Sequence, residues 1–441
     1  MSMCLRPLAA LLLTSLLSGC ATPASSSTNA MSAQTTPTPL DSAAERYVKL
    51  VLAVGQHDGN YVDAYYGPEA WAKEAGAAKL PLPEVAARAA ALVKEVEAVP
   101  VPADALLAMR RRFLLTQLGA LSARVRMLSG EKLKFDEESQ ALYGARAPVH
   151  TEADFEAVLA GLDKLVPGQG PLTERLEAYR RSFVIPKEKL DIVFRAAIDE
   201  ARRRTLKHIQ LPAHESFTLE YVTNKPWGGY NWFKGNATSL IQINTDLPIF
   251  IWRAIDLAAH EGYPGHHVYN ALLEQHLVRE RGWVEFTVYP LFSPMSLIAE
   301  GSANYGIEVA FPDADRFARE VLFPLAGLAP SAAGDYLRVE ELSAKLSYAG
   351  NEAARRYLDG VLTREQARDW LVRYALVSPE RAAQRMAFID TYRAYLINYN
   401  LGQDMVKAYV ERKAGPKPTP EQRWDVFRDL LSSPRLPSDL R

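Results

Sequence analysis

The stretch Ala258-Ala259-His260-Glu261-Gly262-Tyr263-Pro264-Gly265-His266-His267 decides how this chain is read, because it packs three of the eight histidines into eight residues. A helix capped by Asp246, with Pro248 in its first turn where a missing N–H costs nothing, is expected to run into His260-Glu261. Pro264 interrupts it. The proline ring clashes with the carbonyl of His260 and removes a donor, so the backbone must bulge there, and Gly265 can accommodate the bulge.

Two helical histidines four residues apart, with a glutamate beside the first, form a zinc-hydrolase pattern in which both imidazoles face one metal and the carboxylate polarises water. Here the second histidine comes six or seven residues later. On an unbroken helix six steps rotate by roughly 600°, away from His260, while seven separate the two Cα atoms by about 10 Å. A bulge that absorbs two residues puts His266 in the place of the usual ligand, with His267 as the alternative ligand or an outer partner. Zinc needs a third protein donor if a position is to stay open for water. Residues 293–309 read as a helix with Ser293 as cap and Pro294 in the first turn. It carries Glu300 inside an apolar run, where a carboxylate is costly to bury without a partner such as a metal. Asn304, one turn further on, and Asp256, one turn before His260, are candidates to hydrogen-bond the outer nitrogen of a ligand histidine. The plainer alternative for the cluster is a buried polar group of residues without metal.

Around this segment the pattern is mainly α. Helical periodicity covers 44–54, 82–99, 103–128, 152–165, 172–183 and 187–207, and resumes at 293–309, 313–325, 334–347, 351–358, 364–374, 379–410 and 421–431. Alternation in 216–222 and 238–244 predicts a small β-sheet flanking the zinc cleft, with the Gly- and Pro-rich segment 224–235 as a loop between the strands. The strand 238–244 could bind an extended peptide along its edge. His214-Glu215 reads as part of a loop, and Arg202-Arg203-Arg204 as a solvated helix face.

The two cysteines, Cys4 and Cys20, offer no disulfide framework. Arg6 followed by the apolar run 8–17 reads as a secretory signal over 1–20, and Leu17-Ser18-Gly19-Cys20 resembles a bacterial lipobox with Cys20 as the lipidation site. The Ser-, Thr- and Pro-rich residues 21–40 suit a flexible tether, leaving 41–441 as the helical zinc hydrolase domain. Ala21 after the cysteine favours the outer membrane, facing the periplasm. A net charge of -1, with 23% charged and 48% apolar residues, describes a globular body and argues against nucleic acid as a partner.

The His260-to-His267 segment resembles the bacterial family catalogued as domain of unknown function 885, marked by His-Glu-x-x-Pro-Gly-His-His. The resemblance extends to Val62-Asp63-Ala64-Tyr65-Tyr66-Gly67-Pro68, Phe135-Asp136-Glu137-Glu138, Ala141-Leu142-Tyr143-Gly144 and Tyr399-Asn400-Leu401-Gly402. Where that family carries Glu-Gly-Trp-Ala-Leu-Tyr, this chain has Glu300-Gly301-Ser302-Ala303-Asn304-Tyr305. The motif order is similar to that of gluzincin peptidases, which implies a gluzincin-like fold and peptidase-like chemistry. The expectation is a zinc-dependent hydrolase of peptide or related amide bonds, with His260, His266 and Glu300 on the metal and Glu261 as general base. Tyr399, Tyr395 or Tyr305 would donate to the oxyanion, Tyr399 being preferred. The competing expectation is a non-catalytic lipoprotein that binds metal or peptide.

Overall fold

Thr38, Thr363 and Thr419 open helices by one device. Each accepts from the backbone N–H three residues on, and the side chain of that residue, Asp41, Gln366 or Gln422, accepts from the threonine N–H. Reciprocal caps of this kind satisfy two orphan donors and contribute about 1 kcal/mol each. The computed structural model describes residues 37–225 and 227–441. The expected leader, Cys20 and tether residues 21–36 lie outside the described residues. The first helix, Pro39–Val54, takes the end of the expected tether into the folded body, and Thr38–Arg441 forms one compact unit.

The architecture is mainly α with small sheets. Two helices missed in the sequence, Glu69–Ala78 and Phe135–Tyr143, are short and amphipathic over few turns. The predicted helix 379–410 is two helices, Pro379–Tyr392 and Ile397–Ala414. They are separated at Arg393, whose φ of 52° is left-handed. Buried Glu138 holds this break, accepting from the Arg393 guanidinium at 2.7 Å and the Ala394 N–H at 3.2 Å. The break redirects Tyr395 and Tyr399 toward the cleft.

Among the described residues five strands form two sheets. β1 (Val62–Tyr65) pairs antiparallel with β5 (Val288–Pro290). β2 (Ser216–Val222), β3 (Gly229–Gly235) and β4 (Thr238–Asn244) form the second sheet in the order β2-β4-β3. β2 and β4 are parallel; β3 and β4 form a hairpin through Asn236 and Ala237, both at positive φ. Two expectations are corrected here. The segment 224–235 is not all loop, because its aromatic run Tyr230-Asn231-Trp232-Phe233 builds β3. β4 offers no free edge, being paired on both sides, so the edge on the cleft side belongs to β3. The hairpin turn is fixed from the histidine-bearing segment. The buried Glu274 carboxylate accepts from the N–H groups of Asn236 and Ala237, each at 2.8 Å.

The helices Pro294–Ala310 and Ile397–Ala414 cross in backbone contact. A Cβ added at Gly301 would stand 2.4 Å from the Gly402 carbonyl carbon, so glycine is required for this approach. The crossing lies one residue after Glu300 and sets Asn304 against Tyr399.

Candidate metal centre

The helix that carries the His-Glu pair begins at Trp252, later than expected. Asp246 caps the backbone N–H groups of Asn224 and Lys225 instead of that helix. From Ala258 the backbone widens into a π-helical turn, Ala258–Gly262, with Tyr263 N–H on the Ala258 carbonyl at 3.0 Å and Gly265 N–H on the Ala259 carbonyl at 2.9 Å. Such turns insert residues into a helix and re-aim side chains. The Tyr263–Pro264 peptide is cis, and a new helix starts at His266. A Cβ on Gly265 would lie 1.8 Å from the His260 carbonyl oxygen, so no other residue fits there.

This geometry sets His260 and His266 against each other. Their Nε2 atoms are 3.1 Å apart, and Glu300 Oε2 lies 3.2 Å from the first and 3.6 Å from the second. All three residues are buried or nearly so. Two ring nitrogens and a carboxylate oxygen this close repel one another unless a proton or a metal cation sits among them. The edges of a tetrahedron with bonds of about 2.0–2.2 Å measure about 3.3–3.6 Å, close to this triangle. Glu300 Oε2 is buried without a hydrogen-bond partner among the described residues, as a metal-directed oxygen should be. Its other oxygen accepts from Tyr395 OH at 2.6 Å. Burial opposes ionisation of Glu300, but the neighbouring His266 and His260 imidazoles outweigh it and hold the carboxyl far below the usual range.

Asn304 fixes the tautomer of His260. Its amide N–H donates to the Tyr399 carbonyl at 2.8 Å, which turns its oxygen toward His260 Nδ1, also at 2.8 Å. Nδ1 therefore donates, and the Nε2 lone pair points into the cluster. Asp256, the other expected partner, is engaged elsewhere: it pairs with Arg253.

His267 points the opposite way. Fully buried, it contacts Ser239 Oγ at 2.8 Å through Nδ1 and Glu215 Oε2 at 3.0 Å through Nε2. Glu215 also accepts from Tyr263 OH at 2.6 Å and from Arg202. Burial raises the Glu215 carboxyl, but hydrogen bonds from His267, Tyr263 and Arg202 pull it down to about 2. Glu215, in the loop just before β2 as expected, is therefore a hub tying the histidine segment to the sheet, and Arg202 reaches it from a helix face that is otherwise exposed. Arg204 is likewise engaged, pairing with Glu200 and Asp313.

A cavity of about 690 Å³ opens onto the cluster. Glu261 lines it, 5% exposed, its main-chain carbonyl held by Asn231 of β3 at 2.7 Å. Gly229 faces its carboxylate, and a Cβ there would come within 3.1 Å of Oε1. The Tyr399 ring lies 6.4 Å from that of His260 and lines the cavity, whereas Tyr395 is committed to Glu300 and Tyr305 donates to Glu411. Sequence reading missed the roles of Asn231, Arg253, Arg385 and Asp63 in this wall. Asp63 is raised to about 8 by burial and by the nearby Glu300 and Glu261 carboxylates. Among these, only Asp63 lay within a motif that could have flagged it.

Neither a family model nor a curated protein matches the chain. A solved structure from Colwellia psychrerythraea, provisionally described as a lipoprotein, aligns with a TM-score of 0.53 at 15% identity, over 81% of this chain and 65% of its own. The likeness is one of fold. This chain thus spans somewhat less than two thirds of that protein. A second structure, from Shewanella oneidensis and provisionally described as a lipoprotein of unknown function, aligns at 11% identity over 82% of this chain and 75% of its own, with a TM-score of 0.37. The resemblance to the domain of unknown function 885 family rests on the motifs alone.

Proposed function

We propose that this chain is a lipid-anchored zinc hydrolase of peptide or related amide bonds, acting in the cell envelope. The observation that carries the reading is the convergence of His260 Nε2, His266 Nε2 and Glu300 Oε2, whose donor atoms all lie within 4.8 Å of one another. Two imidazoles and one carboxylate suit zinc, and a three-residue set leaves a position for reaction.

Bound there, zinc would supply Lewis acidity and bring the pKa of water to about 7. Glu261, beside the first histidine and facing the cavity, takes the proton of the attacking water and returns it to the leaving nitrogen. The Tyr399 hydroxyl, with no hydrogen-bond partner among the described residues, donates to the oxyanion. Burial, with the nearby Glu300 and Glu261 carboxylates adding to it, pushes its pKa well above the ordinary value, so it stays protonated at neutral pH. An extended substrate can lie along the outer edge of β3, which lines the cavity.

The anchoring part of the reading rests on Leu17-Ser18-Gly19-Cys20 and accords with the description of the Colwellia protein. Among the described residues no helix is long and apolar enough to cross a membrane. The same description, which assigns no activity, equally suits a non-catalytic lipoprotein that binds metal or peptide. Glu261→Gln separates the two readings. Under catalysis the variant keeps about one zinc per chain and loses hydrolysis of peptides that the wild-type chain cleaves; a wild-type chain that binds zinc yet cleaves nothing in a broad peptide library supports the binding reading.

A further inference from the structure

The wall of the cavity carries a positive charge that nothing in the described fold neutralises. Arg385, on the helix Pro379–Tyr392, lines the same cavity as Glu261 and Glu300. The side chain reaches solvent, although much protein is packed around it. Its neighbours are committed: Arg180 to Glu340, Arg253 to Asp256, and Arg381 to the Pro248 carbonyl and the Phe250 ring. Among the described residues Arg385 has neither a carboxylate within 4.0 Å nor a hydrogen-bond partner. Burial, together with Arg180 and Arg381, lowers its pKa to about 10, so it stays cationic at neutral pH.

An arginine among like charges, without a protein counter-ion, gains Coulomb energy when an anion arrives. The planar guanidinium matches a carboxylate through two parallel N–H···O bonds. The same cavity is lined by Glu261 and Glu300, whose carboxylates would repel an acid group and so favour its placement at Arg385. We propose that Arg385 receives a carboxylate of the substrate, so that the site takes short peptides or amides bearing a free acid group. A terminal carboxylate in this place makes the protein a trimmer of chain ends; an acidic side chain makes it selective for internal Asp or Glu. This inference rests on the cavity being a substrate site, whether or not hydrolysis follows.

Binding tests it separately from catalysis. In the Glu261→Gln background, calorimetry compares tetra-alanine, tetra-alanine amide and acetyl-Ala-Glu-Ala-Ala amide, each with Arg385 intact, Arg385→Lys or Arg385→Gln. At least one of the two acids is expected to bind about tenfold or more tighter than the neutral amide, as charge-assisted hydrogen bonds imply. Arg385→Gln removes that preference and Arg385→Lys keeps part of it. Preference for tetra-alanine assigns the terminal carboxylate, and preference for the acidic amide assigns the side chain. Equal binding of all three peptides, or an acid preference that survives Arg385→Gln, overturns the proposal. Loss of hydrolysis in the parent chain without loss of this preference would instead count against the zinc hydrolase reading alone.

Discussion

Gly265→Ala tests the geometry on which the metal centre depends. The added Cβ would lie 1.8 Å from the His260 carbonyl oxygen and 2.4 Å from that of Ala259. Side-chain carbons essentially never approach an atom closer than 3.0 Å, so the backbone must yield by at least 3.0 − 1.8 = 1.2 Å. That displacement falls between His260 and His266, two of the three donors. Metal ligands tolerate about 0.2 Å, so a shift of this size should remove most zinc binding. Overpacking adds about 1–3 kcal/mol of destabilisation. Gly262→Ala is the matched control from the same turn, since its Cβ would meet only Phe217 at 3.5–3.7 Å and Ile241 at 4.0 Å, ordinary contacts. Zinc affinity by chelator competition, with thermal melting alongside, should show a fall of at least a hundredfold for Gly265→Ala and little change for Gly262→Ala. Full zinc affinity and an unchanged melting temperature in Gly265→Ala would refute the reasoning.

Asn304→Leu should weaken zinc about 10–100-fold by freeing His260 Nδ1, and Asn304→Asp should recover part of the loss; the same competition assay measures both. His266→Ala should abolish zinc stoichiometry, whereas His267→Ala should leave it near one per chain while lowering stability by about 2–4 kcal/mol in denaturant unfolding, as expected for a fully buried hydrogen-bonded side chain. Glu215 titrates near 2 when folded against 4.5 as its ordinary value. Its depressed pKa contributes stability that is fully present above about pH 4.5 and is lost as pH falls toward about 2. Unfolding curves of Glu215→Gln should therefore vary less across that window than those of the parent chain, and an identical slope would contradict the hub assigned to Glu215.

Much of this was legible in the sequence because it depends on local rules. Helices such as Glu152–Leu165 and Arg364–Tyr374 carry a 3.6-residue apolar period between clear stops, and their ends agree with the reading. The conflict between His260 and His266 spacing and an unbroken helix pointed to a distortion at Pro264-Gly265, since proline cannot continue the ladder and glycine admits a close carbonyl. What was not legible depends on distant contacts. The hairpin strand β3 hid behind Gly228 and Gly229, and the need for Gly229 arises from packing against Leu257 and Glu261 rather than from a turn alone. The break at Arg393 needs Glu138, more than 250 residues earlier in the chain. Asp256 has the right helical spacing to support His260, but Arg253 captures it, and the supporting role falls to Asn304 on another helix. Arg385 gave no local signal at all, since only the fold shows that no acid faces it.

The central claim is that His260, His266 and Glu300 hold one zinc ion. Anomalous diffraction at the zinc absorption edge, on crystals of the protein supplied with zinc, tests it most directly. The account predicts a single strong peak about 2.0–2.2 Å from His260 Nε2, His266 Nε2 and a Glu300 oxygen, with His267 still bonded to Glu215. A peak ligated by His267, or no peak at this cluster, would contradict it.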